Sequence, residues 1–288
     1  NVYFNFRIPP KRRNRAFLYF VFISLFSVLL QWGVSRAVID LEWSYEQGRL
    51  IISGILFIVA YFLHRRFSFR DFKRVGVAIY ANGVENLSNI HEQIGQYPDF
   101  IHVDIVDSSF TSNPEEVKAY RMETIKALWR NQEIHSHIMS RTPSIWLSEV
   151  LPYSDIVYIH WECDEDLKTV LGIIHKAGKK AGLALTMKTA LDDVKEVFKQ
   201  MDAVLLLTIS EPGYSGQKFD IEGLKRIEQL NEHPFRDQFR VCVDGGINEK
   251  IISSVQVEDV VSGASVLNHS NPKQQILRLQ TSGRYEVL

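Results

Sequence analysis

Four side chains in this sequence have the types and spacing for metal-assisted proton transfer. They are His102 and Asp104 in Ile101-His102-Val103-Asp104-Ile105-Val106-Asp107, His137 in His135-Ser136-His137-Ile138-Met139, and Asp244 in Val243-Asp244-Gly245-Gly246. In a strand, residues two apart share a face, so His102 and Asp104 point the same way. Two imidazoles and two carboxylates brought together suit one divalent ion, such as zinc, iron or manganese, with positions left open for substrate oxygens. Singly, a strand-end histidine can be structural and an Asp before Gly-Gly can serve a turn. Four such residues at predicted strand ends carry the argument.

A second set has the chemistry of an anion cradle. The stretch Ser210-Glu211-Pro212-Gly213-Tyr214-Ser215-Gly216-Gln217-Lys218-Phe219 and the turns Asp244-Gly245-Gly246 and Ser262-Gly263-Ala264-Ser265 are rich in small residues, which let backbone N–H groups approach a phosphate. Gly213, Ser215, Gly216, Gln217, Gly245, Gly246, Gly263 and Ala264 are the candidates. Any one of these loops alone would read as an ordinary turn between strand and helix.

The elements that must position these groups are legible as short apolar, β-branched runs at 75–80, 100–106, 133–139, 155–161, 180–186, 202–209, 239–244 and 259–265. Between them lie segments with helical spacing, among them 114–130, 164–178, 190–201 and 220–230. Eight buried strands alternating with helices predict an α/β fold, a closed (β/α)8 TIM barrel over residues 75–288, with its reactive groups at the C-terminal strand ends. An open doubly wound sheet is the competitor. It is disfavoured because Val75-Gly76-Val77-Ala78-Ile79-Tyr80-Ala81-Asn82-Gly83 has no GxGxxG turn.

The 288 residues are 45% hydrophobic and 23% charged, which excludes disorder, and the two cysteines, Cys163 and Cys242, form neither a disulfide framework nor a thiolate metal site. The net charge of −1 hides an asymmetry. Residues 1–74 carry 12 Lys/Arg against 4 Asp/Glu (+8), and the remainder 21 against 30 (−9). An acidic barrel without a basic stripe argues against nucleic acid. Residues 16–34 are uncharged over 19 positions, long enough to span a bilayer as a helix. A shorter run of 14, residues 50–63, is expected to return as a second span within about 49–64. Basic flanks at both ends then place the termini and the barrel in the cytoplasm, in a multi-pass inner-membrane protein with Trp32, Trp43, Tyr45 and Tyr61 suited to the interfaces.

These motifs resemble known families. From about Val75 onward the chain resembles ribulose-phosphate 3-epimerase, through HVDIVD (102–107), HIM (137–139), HWE (160–162), GLAL (182–185), EPGYSGQKF (211–219), VDGGI (243–247) and VSGAS (261–265). The resemblance implies C3 inversion between D-ribulose 5-phosphate and D-xylulose 5-phosphate. It places metal ligands at His102, Asp104, His137 and Asp244, acid/base roles on Asp104 and Asp244, and a cover over the enediolate at Met139. Relatives of this kind are commonly homo-oligomers. The sequence departs from the family pattern where a serine is expected at Ala78, where methionines are expected at Val106 and Thr208, and at Met187-Lys188-Thr189, Ser215 and His135. The punctuation NVYFNFR near the start and FLHRRFSFRDFKR after the second apolar run is similar to the GtrA-like membrane family. It suggests that residues 1–70 are the second half of such a domain and implies work on polyprenyl-linked sugars.

The sequence therefore predicts a membrane-tethered, metal-dependent ketose-phosphate epimerase. The competing reading is a catalytically drifted sugar-phosphate-binding module attached to a lipid-linked-sugar transporter domain. His160 of HWE reads equally as a core histidine or as a group on the substrate side, and Cys242 as packing.

Overall fold

A computed structural model describes residues 10–39, 45–64, 73–79, 84–111 and 119–282. The chain divides into two compact units, with the boundary between residues 72 and 73. The first contains helices α1 (Pro10–Ile39) and α2 (Tyr45–Leu63). In α1, the stretch Phe17–Val34 is long and apolar enough to cross a membrane, and Ile23 alone among its large apolar side chains is buried. A helix that is apolar all round yet uncovered is unlike the core helix of a water-soluble fold. Two such helices were expected, and the second falls short. Its apolar part, Leu50–Leu63, has 14 residues, about 21 Å at 1.5 Å per residue, against a hydrocarbon core of about 30 Å. The two helices are tied by Gln31 Nε2, which donates to Ser53 Oγ at 2.8 Å. Trp32 and Tyr61 are exposed. Trp43, the Tyr45 side chain, and the GtrA-like signatures at 1–9 and 65–72 lie outside the described residues.

The second unit is a closed barrel of eight parallel strands in sequential order. The strands are β1 (Arg74–Ile79), β2 (Phe100–Val106), β3 (Glu133–Met139), β4 (Ile156–His160), β5 (Lys180–Leu185), β6 (Ala203–Leu207), β7 (Arg240–Asp244) and β8 (Asp259–Val261). The helices of this unit are α3 (Val84–Ile94), α4 (Ala119–Leu128), α5 (Ser144–Val150), α6 (Leu167–Lys176), α7 (Leu191–Val194), α8 (Glu222–Glu232), α9 (Ala264–Leu267) and α10 (Pro272–Thr281). β2 and β3 match the expected runs residue for residue. The last run is shorter than expected, because Ala264 and Ser265 begin α9 instead of extending β8. The expected strict alternation of strand and helix fails once, since β7 and β8 are joined by turns without a regular helix. Of the expected helical segment 114–130, residues 114–118 are outside the described residues.

Both faces of each strand are buried because the outer faces meet the helices and the inner faces fill the barrel. The interior cluster holds Ala78, Phe100, Ile156, Tyr158, Ala184, Ala203, Leu205, Leu207, Cys242 and Val261. Cys242 is thus packing, as expected. Large rings fit only where a neighbour has no side chain: a Cβ on Gly76 would lie 2.1 Å from the Phe100 ring, and one on Gly182 would lie 2.2 Å from Tyr158.

A fourfold repeat pins the N-terminal ends of the strands. The acid just before each even strand accepts from the second amide of the preceding odd strand. Asp99 takes Val75 N at 2.9 Å, Asp155 takes Ile134 N at 2.9 Å, Asp202 takes Ala181 N at 2.8 Å and Glu258 takes Val241 N at 2.9 Å. Below the apolar interior, Arg74 pairs with Glu133 at 2.7 Å and Arg240 with the buried Asp259 at 2.6 Å, so that end is closed by paired charges.

Gly182→Ala should lose about 1–3 kcal/mol by driving a methyl group into Tyr158. Gly172→Ala in α6 meets nothing within 4 Å and should gain up to about 1 kcal/mol from helix propensity. Denaturant unfolding of both variants beside the parent measures the difference.

Candidate active site

Register explains why distant motifs meet. Parallel pairing sets Asp104 beside His137, and β7 delivers Asp244 at its last residue. One potential ligand atom from each of His102, Asp104, His137 and Asp244 lies within 4.8 Å of the others. His137 Nδ1 is 3.0 Å and His102 Nε2 is 3.4 Å from Asp104 Oδ1, and His102 Nε2 is 3.9 Å from Asp244 Oδ2. His102 and His137 are fully buried, Asp104 nearly so, and the Asp244 side chain is 17% exposed.

Neither nitrogen of the buried His102 ring has a hydrogen-bond partner. Leaving such groups unpaired is costly, and a cation among the four residues would remove that cost for Nε2, the nitrogen that faces Asp104 and Asp244. The donor set of two nitrogens and two carboxylates is that of a zinc, iron or manganese site, so the residues present fit one divalent ion.

The same crowding separates the two carboxylates electrostatically. Burial opposes ionisation of Asp104, but the neighbouring His102 and His137 outweigh it and hold the carboxyl well below its usual range. Asp244 is pushed up to about 7 by burial, relieved in part by His102 and reinforced by Asp104. Burial disfavours the charged form of His102, yet Asp104 and Asp244 beside it leave its proton affinity raised. His137 falls to about 4, through burial and the nearby His160 against the pull of Asp104. Neighbouring carboxylates of unequal proton affinity are what a base and an acid acting together require.

Above the cluster, a cavity of about 390 Å³ runs from Asp104 and Asp244 toward the ends of β6, β7 and β8. Ser215, Gly216, Gln217, Gly245, Gly246, Gly263 and Ala264 line it, together with Lys218, Asn248 and Ser265. Gly246 has φ +68°, and a Cβ there would lie 2.1 Å from Phe219 N, so glycine alone lets the β7 turn abut the preceding loop. Three expected residues sit differently. Gly213 is outside the lining, and a Cβ there would face Val106 and Thr111. The Gln217 side chain is spent on its own loop, accepting from Ser210 Oγ and Glu211 N and donating to the Glu211 and Tyr214 carbonyls. Met139 is buried two residues beyond His137 on β3 but is not part of the cavity lining.

Two features escaped sequence reasoning. Thr208 donates its hydroxyl to the carbonyls of Asp244 and Gly245 at 3.0 and 2.7 Å, bracing the turn that carries Asp244. His160 joins His137 directly, Nε2 to Nε2 at 2.8 Å, with its Nδ1 3.0 Å from Glu162 Oε2. His160 ends β4 and Glu162 lies in the turn that follows, and the partner on β3 is set by register.

Fold and site together define a (β/α)8 enzyme with two carboxylates and two histidines at the mouth of its barrel. The sequence model of the ribulose-phosphate 3-epimerase family matches residues 74–267. The ribulose-phosphate 3-epimerase of Bacillus subtilis is 27% identical over 195 residues, covering 64% of this chain and 87% of that protein. The enzyme of the same name from Schizosaccharomyces pombe is 27% identical over 210 residues, covering 68% and 89%. A crystal structure of 3-hexulose-6-phosphate synthase from Salmonella typhimurium superposes with a TM-score of 0.57 at 15% identity, covering 73% of this chain and 98% of that one, and shares the fold alone. This chain belongs to the ribulose-phosphate 3-epimerase family. It is an isomerase of the epimerase type.

The displaced pKa of Asp244 gives a test of the site's electrostatics. In cation-free protein, folded Asp244 keeps its proton up to about pH 7, whereas in the unfolded chain it ionises near 3.8. The stability it contributes should therefore fall as pH rises across that window. Asp244→Asn removes this component, so with a chelator present the parent should lose stability relative to the variant as the pH rises from 4 to 7. A difference independent of pH would contradict the assignment.

Proposed function

We propose that the barrel inverts C3 of a ketose phosphate, with D-ribulose 5-phosphate and D-xylulose 5-phosphate as the default pair and a related pentulose or hexulose phosphate as the variant. The observation that carries the reading is the meeting of Asp104 and Asp244 beside two histidines at one end of a cavity whose other end is lined by small residues and Lys218. Inversion needs a base on one face of C3 and an acid on the other, and the unequal proton affinities of Asp104 and Asp244 support that division.

His102, Asp104, His137 and Asp244 would hold one divalent ion, of zinc, iron or manganese. When bound it would polarise the ketone and offset the negative charge that develops on proton removal. Asp104, kept ionised by its histidines, is suited to take the C3 proton, and Asp244 to return one. Gly216, Gly245, Gly246, Gly263 and Ala264, with Ser215 and Lys218, would orient the phosphate, fixing C3 between the carboxylates. Gln217 would support this set by holding its loop, and Met139, buried beside His137 and outside the cavity lining, would back that histidine. Ala78 lines the cavity where the resemblance places a serine, so one contact to substrate is lost and the preferred ketose phosphate is open to change.

We further propose that α1 anchors the barrel to a bilayer, with the barrel on the cytoplasmic side. The uncovered apolar surface of Phe17–Val34 and the basic bias of residues 1–74 support this. A kinship of α1 and α2 with GtrA-like domains belongs to the same proposal. So does homo-oligomerisation of the barrel. The chain should resist extraction by alkaline carbonate, and a variant with several leucines and phenylalanines of 17–34 replaced by serine should be released. Release of the unaltered chain would remove the anchor.

For the chemistry, the full chain in detergent with added divalent metal should wash solvent deuterium into C3 of D-ribulose 5-phosphate or another ketose phosphate. Asp104→Asn and Asp244→Asn should each lower the rate by about 10²–10⁴. Exchange no faster than in the double variant, across a panel of ketose phosphates, would overturn the proposal.

A further inference from the structure

The HWE stretch contributes two polar groups, the buried His160 and the partly buried Glu162, that the reaction outlined above does not use. His160 is fully buried, and the Phe110 ring lies over it with centroids 4.4 Å apart, which keeps water from the imidazole. Its Nε2 is 2.8 Å from Nε2 of His137, and its Nδ1 is 3.0 Å from Glu162 Oε2. Glu162 is itself held, since its Oε1 accepts from Thr186 Oγ1 at 2.7 Å, from Thr186 N at 3.2 Å and from Thr189 Oγ1. Those threonines are fixed in turn, because Arg226 donates to the carbonyls of Thr186 and Thr189 at 2.6 and 2.5 Å.

Proton counting gives this chain a direction. Two ring nitrogens 2.8 Å apart need one proton between them. A carboxylate only accepts, so a neutral His160 must carry its proton on Nδ1, facing Glu162, and present the lone pair of Nε2 to His137. His137 must then carry its proton on Nε2, which leaves the lone pair of Nδ1 aimed at the cluster, 3.0 Å from the Asp104 carboxylate. A lone pair against a carboxylate is repulsive unless a cation lies between them. The opposite polarity satisfies Glu162 only if His160 gains a second proton inside a buried site.

We propose that Glu162 and His160 are positioning residues that lock His137 in the tautomer presenting Nδ1 to a divalent cation. The inference rests on the cation-binding reading of the four-residue cluster and deepens it. Groups that hydrogen-bond a ligating histidine set its tautomer and raise its basicity, and their loss costs about 10–100-fold in metal affinity.

The test is Co²⁺ binding to the full chain in detergent, followed by its visible absorption and by competition with a chromophoric chelator. Glu162→Ala and His160→Phe should bind Co²⁺ about 10–100-fold more weakly with an altered visible band. Glu162→Gln, whose amide oxygen still accepts from His160, should recover most of the loss. Thr189→Val, which removes one donor to Glu162 and leaves the carboxylate in place, should give a smaller loss and remains informative if a harsher variant does not fold. Binding that Asp104→Asn weakens but that all four of these variants leave at parental strength, with the parental spectrum, overturns the relay alone. A parent chain that binds no Co²⁺, or binds it without regard to Asp104, overturns the cluster reading and the relay together.

Discussion

Two carboxylates and two imidazoles with ligand atoms within 4.8 Å of one another, nearly sealed from water, are a poor way to stabilise a protein. The arrangement leaves both nitrogens of His102 without partners and pushes Asp104 and Asp244 to opposite ends of the carboxylate range. Each strains against what burial and mutual charge favour. Much of the barrel's upper end can be understood as the means of holding these four groups where they would not gather by themselves.

The restraint comes from several directions. Register between β2 and β3 places Asp104 beside His137, and Thr208, just past β6, braces the carbonyls of Asp244 and Gly245. Gly246 lets the β7 turn press against Phe219, so the cavity lining stays continuous from the carboxylates to the small-residue loops. At the other end, four acids clamp the odd strands and paired charges close the floor. That end carries the stability, leaving the mouth free to hold strained chemistry, the usual division of labour in this architecture.

Much of this was legible before any coordinates. Strand β2 is an apolar run interrupted only at His102 and Asp104, so its extent and its inward polar residues could be read from alternation, whereas β3 mixes Glu133, His135, Ser136 and His137 with its apolar residues. The β7–β8 connection was not legible, because turns there do what a helix does elsewhere. Gln217 carried the composition of a ligand-binding loop, but its amide is saturated within that loop, which spacing cannot reveal. His160 was ambiguous because its partner lies on another strand. The second apolar helix looked like a span from its flanks, whereas its 14 apolar residues are too few by length.

The resemblance places a serine at Ala78 and methionines at Val106 and Thr208, and this chain has neither there. The Thr208 hydroxyl secures the turn that bears Asp244. The account stands or falls on whether the four groups share one cation. Anomalous diffraction from crystals of the zinc-loaded chain tests this most directly. It should show a single strong peak at bonding distance, about 2.0–2.2 Å, from His102, Asp104, His137 and Asp244. Density without an anomalous peak among these side chains, or a peak bound elsewhere, would contradict it.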